Sequence, residues 1–536
     1  MAGTATFVLH THLPYCRLAG RWPHGEEWIH EALLECYLPL LRAFQELSAG
    51  VDGSLGVTIN LTPILAEQLR DPLVQQHFGE YLGERLRRAH DDSARFPAGS
   101  QLQETALFHE ERYQGIQDLW DGLSGDVLGA FAALEAAGRL EIATCAATHG
   151  YLPLLNDDAA IRFQVETGVR SHTRNFGRPP RSFWLPECAY KPGLERYLEE
   201  AGIKVFFVET HLVTGGTARG KALGGMVGPY PPVTASERRP ADAGPHRGTT
   251  FRPYFVSDSR VAVMARNEQT GLQVWSAAHG YPGDGAYREF HRKDPVSGLH
   301  YHRVTGPAVD LGAKAEYVPG AAAAKAREHA DHFVGLLKRE LYLYESGAHE
   351  HGNLMASYDT ELYGHWWLEG VQWLKNVIGS LATDPDVTLA TAENVIREDP
   401  PVASIDLPEG SWGAGGDHRT WMNDQTAWTW PEIHRRQQRA HQVLASESEM
   451  SRQLARELLL LQSSDWQFLM TTGQANEYAV ERFNSHCARF DVIANAMEAG
   501  DAGFAGELAQ LEHLDNPFPA IEPRLYSSHA SGAFAT

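Results

Sequence analysis

The chain has 536 residues, of which 43% are hydrophobic and 21% charged, a composition close to that of an ordinary folded soluble protein. Its formal net charge of −22 at pH 7 argues against a protein that binds the phosphate backbone of nucleic acids, because such proteins need a concentrated basic surface. A chain of this length exceeds one ordinary core, and we expect one large domain with at least one smaller domain.

The cysteines and the hydropathy pattern indicate the cellular compartment of the protein. The five cysteines are odd in number and form no C-x-x-C pair, which argues against a disulfide framework and a zinc ribbon. The first residues lack the basic and apolar regions of a secretory signal, and no stretch approaches the roughly 18 apolar residues of a membrane span. We therefore expect a cytoplasmic protein that contacts neither membrane nor nucleic acid.

Short apolar segments alternate with helical patterns over the first 400 residues, as in β/α units around a parallel sheet. The predicted strands are residues 6–12, 57–61, 140–144, 182–185, 204–208, 261–265, 354–358 and 387–390. The clearest predicted helices are residues 321–344 and 366–381, and a helix-rich insertion covers about 64–139.

Two further segments mark the organisation of the chain. Residues 214–249 hold eight Gly and five Pro, which favours a long mobile loop, either a lid or binding loop or an insertion without a role. Near residue 400 the alternating pattern ends and only helical patterns follow. We therefore divide the chain into a catalytic domain, 1–400, and a helical domain, 401–536.

Carboxylates follow two predicted strands at the point where each strand ends. Glu187 comes after Ser182–Pro186, and Asp359 and Glu361 come after the strand that ends near Tyr358. In a β/α barrel such residues meet at one face, and glycosidases use a facing pair of carboxylates for catalysis. Ion-paired or capping roles are an equal alternative, and position does not choose between Asp359 and Glu361.

Three histidines occupy comparable positions. His10 and His12 stand two residues apart on the first predicted strand, hence on one face, and His149 is expected at the end of another strand. They could bind a metal ion, donate hydrogen bonds to substrate hydroxyls, or bond to backbone carbonyls.

Tryptophans are numerous in the same regions, and indole rings pack well against the C–H faces of sugars. Trp275, which we expect on a strand, Trp412 and Trp421 are candidates for substrate contact, although about half of such tryptophans belong to the core.

Several longer motifs resemble one family, glycoside hydrolase family 57, and within it the glycogen branching enzymes. The matching stretches run in order along nearly the whole chain: Leu9-His10-Thr11-His12-Leu13-Pro14, Ala147-Thr148-His149-Gly150-Tyr151, Phe183-Trp184-Leu185-Pro186-Glu187, Gln273-Val274-Trp275-Ser276, Gly280-Tyr281-Pro282-Gly283, the ten residues from Tyr358 to Trp367, Gly410-Ser411-Trp412-Gly413, Ser464-Asp465-Trp466 and Asp515-Asn516-Pro517-Phe518-Pro519. The chain departs from the usual pattern at Cys188 and at Ala278-His279.

The resemblance implies an α/β fold, a distorted (β/α)7 barrel with an all-α C-terminal domain that completes the cleft. It implies that Glu187 is the nucleophile and Asp359 the general acid and base. It also implies substrate contact at a further set of positions, Arg266, Gly283, Trp412, Asp465 and Gln474, and a supporting tyrosine on the 214–249 loop, either Tyr230 or Tyr254.

The function so implied is that of a retaining 1,4-α-glucan branching enzyme, with α-glucan as donor and acceptor and no cofactor or metal. An α-amylase or a 4-α-glucanotransferase that uses the same carboxylates is the alternative. A metal-dependent carbohydrate deacetylase, with His10, His12 and His149 around an ion, is a more distant one. The sequence makes no prediction about the oligomeric state.

Overall fold

The computed structural model describes residues 2–215, 248–275, 280–444 and 447–528. Most of the predicted 214–249 loop, with Tyr230, lies outside the described residues. Ser276 of the motif Gln273-Val274-Trp275-Ser276 and the departure at Ala278-His279 also lie outside them.

Within the described ranges ten strands form one sheet. They are β1 Gly3–Thr11, β2 Val57–Leu61, β3 Leu140–Cys145, β4 Ser182–Trp184, β5 Val205–Val208, β6 Tyr254–Val256, β7 Ala262–Ala265, β8 Gly352–Asp359, β9 Val387–Leu389 and β10 Ser404–Ile405. Seven of them are parallel neighbours in the order β8-β1-β2-β3-β4-β5-β7. Just beyond β7, the N–H of Asn267 donates to the carbonyl of Met355 in β8 at 2.9 Å, which brings the two ends of this series together.

The helices surround this sheet and continue beyond it. They are α1 Glu27–Ala32, α2 Leu38–Gly50, α3 Pro63–Arg70, α4 Pro72–Arg95, α5 Gln101–Leu123, α6 Val127–Ala136, α7 Asp158–Phe176, α8 Leu194–Glu200, α9 Thr210–Thr214, α10 Glu268–Trp275, α11 Pro319–Ala348, α12 Gly370–Ala382, α13 Ala392–Glu398, α14 Thr429–Val443, α15 Glu449–Leu461, α16 Asp465–Thr472, α17 Asn476–Ala499, α18 Ala505–Leu514 and α19 Arg524–Ser528. The predicted (β/α)7 barrel with a helical C-terminal region is therefore confirmed.

Most of the local predictions agree with the structure. All eight predicted strands are present, the two clearest predicted helices correspond to α11 and α12, and α3 to α6 occupy the predicted insertion. β6 was missed because it directly follows Pro253, which argues against a strand, and β10 was missed because it has only two residues.

Two predictions about local structure are wrong. Trp275 ends helix α10 and is not on a strand, because Gly271, Val274 and Trp275 are buried together at helical spacing. His149 does not end β3, which stops at Cys145; it lies four residues later in a turn with φ 57°.

The helical region is packed directly onto the barrel. Tyr190, from the barrel, and Gly410 exchange two backbone hydrogen bonds of 2.8 and 3.0 Å. One continuous hydrophobic core contains both Trp184 of β4 and Leu459 and Trp466 of the C-terminal helices. β10 extends the sheet beyond residue 400, the predicted domain boundary. The division of the chain at this residue stays a prediction.

None of the helices in the described segments is long and apolar enough to cross a membrane.

A glycine substitution tests the packing of α7 on β3. A Cβ at Gly168, inside α7, would overlap the carbonyl oxygen of Cys145 at the end of β3. We expect Gly168→Ala to destabilise the protein by about 1–3 kcal/mol, the range typical of overpacking. Chemical denaturation followed by circular dichroism measures the change.

The matched control is Gly79→Ala, since Gly79 also lies inside a helix, α4, but its Cβ would meet open space. This substitution should stabilise by up to about 1 kcal/mol. Equal effects of the two substitutions would contradict the close contact between α7 and β3.

Candidate active site

A cavity of about 360 Å³ opens at the carboxyl ends of the barrel strands, against the C-terminal helices. Its lining contains most of the residues singled out in the sequence: His10, His12, His149, Glu187, Trp275, Asp359, Glu361, Trp412, Asp465 and Gln474. The sheet order places β3, β2 and β1 between β4, which leads to Glu187, and β8, which ends in Asp359. The two carboxylates therefore reach the cavity from different sides of the barrel mouth.

The backbone at Glu187 is in an unusual conformation. Glu187 has φ 62° and ψ 24°, in the left-handed region, and Cys188 follows with φ 47°. Non-glycine residues there cost of order 1–3 kcal/mol and persist only where the surrounding structure holds them. Here the N–H of Trp412 donates to the carbonyl of Glu187 at 3.1 Å. This strained turn points the carboxylate from the end of a buried strand into the cavity.

Both carboxylate oxygens of Glu187 accept hydrogen bonds from the C-terminal region. Trp412 Nε1 donates to Oε2 at 2.7 Å, and Ser464 Oγ contacts Oε1 at 3.2 Å. Glu187 is only 9% exposed, and donors are what a buried carboxylate needs in place of water. These contacts favour its ionised form and fix its orientation.

Asp359 and Glu361 have different surroundings. Asp359 is the last residue of β8, in register with His10 of β1, and faces the cavity. Glu361 Oε1 accepts hydrogen bonds from Tyr37 Oη at 2.6 Å and from the N–H of His12 at 3.2 Å. Burial, followed by the charge of Asp359, raises the pKa of Glu361 to about 7.

A short π-helical segment, Leu33–Tyr37, positions the partners of this region. Its wider turn directs Cys36 Sγ to the carbonyl of Thr360 at 3.0 Å and Tyr37 Oη to Glu361. Sequence reasoning did not find this segment, since one extra residue in a helical turn barely changes an apolar pattern.

The three histidines form a stack with Trp184. His10 lies on the indole of Trp184 with ring centres 4.6 Å apart and planes at 8°, and His12 lies on His149 at 3.9 Å and 17°. His10 Nδ1 is hydrogen-bonded to Asn60 at 2.7 Å. The polar edges of these rings are thereby held in fixed directions beside the carboxylates.

His12 joins the barrel to the C-terminal region through Asp465. His12 Nε2 lies 3.0 and 3.1 Å from the two carboxylate oxygens of Asp465, and its Nδ1 lies 3.1 Å from Thr62 Oγ1. Burial by itself would lower the pKa of His12, but Asp465, Glu187 and Glu361 outweigh it, so the pKa is raised. These carboxylates thus favour the positively charged form of His12.

The residues that could hold a metal ion in the cavity are His12, His149 and Asp465, whose ligand atoms lie within 4.8 Å of one another. The rings of His12 and His149 are nearly parallel and stacked, so their nitrogen lone pairs lie in separate parallel planes. An ion in the plane of one ring would lie out of the plane of the other. This geometry suits metal coordination poorly but suits hydrogen bonds to separate hydroxyls well.

A second group of possible metal ligands, Glu457 with His486 and Asp515, is fully buried among the C-terminal helices, away from this cavity.

Three residues that the sequence assigned to substrate contact do not line this cavity. Arg266, just beyond β7, forms an ion pair with Glu209. Gly283 is exposed in a short turn, and Trp421 is 1% exposed and stacks on Tyr151 with ring centres 4.4 Å apart. Their contact with substrate stays a prediction.

Of the two tyrosines considered for the 214–249 loop, the structure describes Tyr254. It begins β6, and its hydroxyl accepts a hydrogen bond from the N–H of Thr249 at 2.9 Å, outside the cavity lining. Its role in catalysis also stays a prediction.

Several lining residues were not assigned from the sequence, among them His24, Phe290 and His365. His365 Nδ1 is bonded to Glu35 at 2.7 Å, and Glu35 also pairs with the buried Arg288 at 3.3 Å. Burial would raise the pKa of Glu35, but Arg288 and His365 hold it below its ordinary value. No local sequence signal identifies this network, because its members come from three distant segments.

Comparisons with known proteins agree with this arrangement. Residues 6–408 match the model of glycosyl hydrolase family 57, and residues 431–526 match that of the C-terminal region of 1,4-alpha-glucan branching enzymes. The chain is 42% identical to a 1,4-alpha-glucan branching enzyme of Thermococcus kodakarensis over 97% of this chain and 78% of that protein.

Solved structures of similar proteins extend the comparison. The crystal structure of the Thermococcus enzyme has a TM-score of 0.90, with 98% of this chain and 96% of that chain covered. A branching enzyme of Pyrococcus horikoshii is 40% identical with a TM-score of 0.88, covering 98% and 97%. The alpha-amylase AmyC of Thermotoga maritima is 29% identical with a TM-score of 0.85, covering 98% and 99%.

The raised pKa of Glu361 predicts a pH-dependent effect of Glu361→Gln. Because the folded protein keeps this proton up to about pH 7 while the unfolded chain loses it near 4.5, the stability of the natural protein falls as pH rises through this window. Glutamine cannot ionise and still accepts from Tyr37 and His12. The variant should gain stability relative to the natural protein between pH 5 and pH 8, by up to about 3 kcal/mol.

Thermal unfolding at the two pH values measures this difference. Asp424→Asn, at an exposed position, is the control for loss of a negative charge elsewhere. A stability difference that is the same at pH 5 and pH 8 would show that Glu361 does not titrate in this window.

Proposed function

The chain belongs to glycosyl hydrolase family 57, and we propose that it is a 1,4-α-glucan branching enzyme, which cleaves α-1,4 links and transfers the released chain to a 6-hydroxyl of another glucan. This conclusion is supported by the match of residues 6–408 and 431–526 to the two family models. The chain is also 42% identical to a branching enzyme over 97% of its length. The enzyme is thus a glycosyltransferase that acts on α-glucans, with α-glucan as both donor and acceptor.

In the first step Glu187 is the nucleophile. Its carboxylate attacks the anomeric carbon of an α-1,4-linked glucose, and the bond from that carbon to the glycosidic oxygen breaks. Asp359, protonated at this stage, gives its proton to the departing oxygen, so that the leaving chain ends in a 4-hydroxyl. The product is a glycosyl ester on Glu187.

In the second step Asp359 is the base. It removes the proton from the 6-hydroxyl of an acceptor glucan, whose oxygen attacks the anomeric carbon and displaces the carboxylate of Glu187. Two inversions leave the α configuration unchanged and create an α-1,6 branch. This retaining chemistry requires the two carboxyl groups to be about 5–5.5 Å apart.

Residues around the pair hold the nucleophile and the sugar. The bonds from Trp412 and Ser464 hold the carboxylate of Glu187 in one orientation. The edges of the stacked histidines and Asp465 offer the fixed donors and acceptors that sugar hydroxyls need. Because Trp412, Asp465 and Gln474 all line the cavity, the helical domain, 401–536, is part of the site of the catalytic domain, 1–400.

The reaction takes place in the cytoplasm on this proposal. The five cysteines are free and buried, as expected in a reducing compartment.

Hydrolysis is the second candidate function, favoured by the similarity to an alpha-amylase over almost the whole chain. Both activities use the same first step and differ in whether water or a sugar hydroxyl takes the glycosyl group. Leu13, Phe468 and Leu469 form an apolar part of the cavity lining, and apolar surface binds a sugar ring better than it binds water, which favours transfer.

The experiment is incubation of the purified protein with amylose, followed by proton NMR of the α-1,6 anomeric signal. Glu187→Gln and Asp359→Asn should each lower its rate of appearance by at least about 10²-fold, because each removes a group that acts in both steps. Glu104→Gln and Asp424→Asn, at exposed positions, are the matched controls.

The products distinguish the alternatives. New reducing ends without α-1,6 signal would indicate an amylase, and longer linear chains would indicate a 4-α-glucanotransferase. Full activity in either carboxylate variant would remove that residue from the mechanism.

A further inference from the structure

Ser464 stands immediately before helix α16, at the N-cap position, and is completely buried. Serine at an N-cap ordinarily accepts a hydrogen bond from a backbone N–H of the first helical turn. Ser464 makes no such bond. Its hydroxyl instead lies 2.8 Å from His149 Nδ1 and 3.2 Å from Glu187 Oε1. The Ser464 side chain therefore bonds to groups at the cavity and not to the backbone N–H groups of its helix.

The direction of these two hydrogen bonds follows from the chemistry of the groups. An ionised carboxylate can only accept, so the single hydroxyl proton of Ser464 must point to Glu187. The oxygen of Ser464 is then the acceptor for His149, which must carry its proton on Nδ1. The chain runs from His149 Nδ1–H through the Ser464 hydroxyl to Glu187 Oε1.

The backbone holds this chain in place from both ends. The N–H of Ser464 donates to the carbonyl of His149 at 3.0 Å, and the adjacent residues, Gly150 and Ser463, form a β-bridge. The loop before α16 is thus fixed to the turn after β3 independently of the side chains. Substitution of the hydroxyl should leave this junction formed.

We propose that Ser464 is a positioning residue, which connects His149 to the nucleophile through hydrogen bonds. Together with Trp412 it holds both carboxylate oxygens of Glu187 from the C-terminal region. This inference rests on the proposed role of Glu187 as nucleophile. It assigns Ser464 a role in the reaction without contact between Ser464 and the substrate.

The hydrogen bond from Ser464 is made to a charge that disappears when Glu187 becomes an ester and returns when the ester is broken. It therefore stabilises the carboxylate both as the attacking form and as the leaving group of the second step. Loss of the hydroxyl should favour the protonated form of Glu187 and slow the release of the glycosyl group. A purely structural serine would produce neither effect.

The test compares Ser464→Ala with Ser464→Thr, which keeps a hydroxyl, and with Thr472→Val. Thr472 lies at the other end of α16, outside the cavity lining, and its hydroxyl bonds the carbonyl of Phe468 at 2.9 Å. Initial rates of α-1,6 bond formation on amylose are measured across pH for each variant. An α-maltooligosyl fluoride, whose leaving group needs no acid, is used as donor to isolate the second step, with intact-protein mass spectrometry to detect the glycosyl-enzyme.

We expect Ser464→Ala to lose roughly 10- to 100-fold in kcat, the effect of one hydrogen bond to a charged group, with little change in KM. Its acid limb in the pH profile should move to higher pH, because Glu187 loses a donor while the titratable groups around it in the cavity, His149, His12, Asp359, Glu361 and Asp465, all remain. The glycosyl-enzyme should accumulate from the fluoride donor. Ser464→Thr should recover part of kcat, and Thr472→Val should leave the acid limb in place.

An unchanged kcat and acid limb in Ser464→Ala, with circular dichroism showing a folded protein, would overturn the inference. So would an equal shift of the acid limb in Thr472→Val. The proposed function has a separate test, because activity in Glu187→Gln would contradict it whatever Ser464 does. If Glu187→Gln is inactive while Ser464→Ala behaves as the natural protein, only the role of Ser464 is lost.

Discussion

The contact between the carboxylate of Glu187 and two donors from beyond residue 400 is the interaction on which the site depends. A buried carboxylate without donors would be costly and would take up a proton, and a protonated Glu187 could not act as the nucleophile that we propose. Trp412 and Ser464 supply these donors, while the Trp412 backbone holds the strained turn of Glu187. The chemistry of the barrel is therefore complete only when the helical region is packed on it.

The barrel contributes a second constraint, the register of its strands. Because β1 pairs in parallel with β8, His10 lies beside Asp359, and both side chains belong to the same edge of the sheet. The same edge carries His12 and, from the loop after β3, His149. Parallel pairing thus brings together groups that are far apart in the chain, and the stacking of the rings on Trp184 fixes their directions.

The charge balance of the cavity explains why histidines accompany the carboxylates. Glu187, Asp359, Glu361 and Asp465 all line one cavity, and like charges in such a space would disfavour ionisation of each other. The raised pKa of His12 favours a positive imidazole and the raised pKa of Glu361, about 7, favours a neutral carboxyl, and both effects reduce this repulsion. The surrounding groups are then available for the proposed hydrogen bonds to sugar hydroxyls.

The sequence by itself determined the parallel β/α architecture, eight of the ten described strands and the strand-end position of Glu187 and Asp359, because these depend on local hydrophobic periodicity and on motifs of neighbouring residues. Only the tertiary structure decided which groups meet: the bonds of Ser464 and Trp412 to Glu187, the further strands β6 and β10, the helical state of Trp275 and the positions of Arg266, Gly283 and Trp421 outside the cavity. Contacts between residues separated by hundreds of positions depend on how helices pack on the sheet, and no local pattern records that packing.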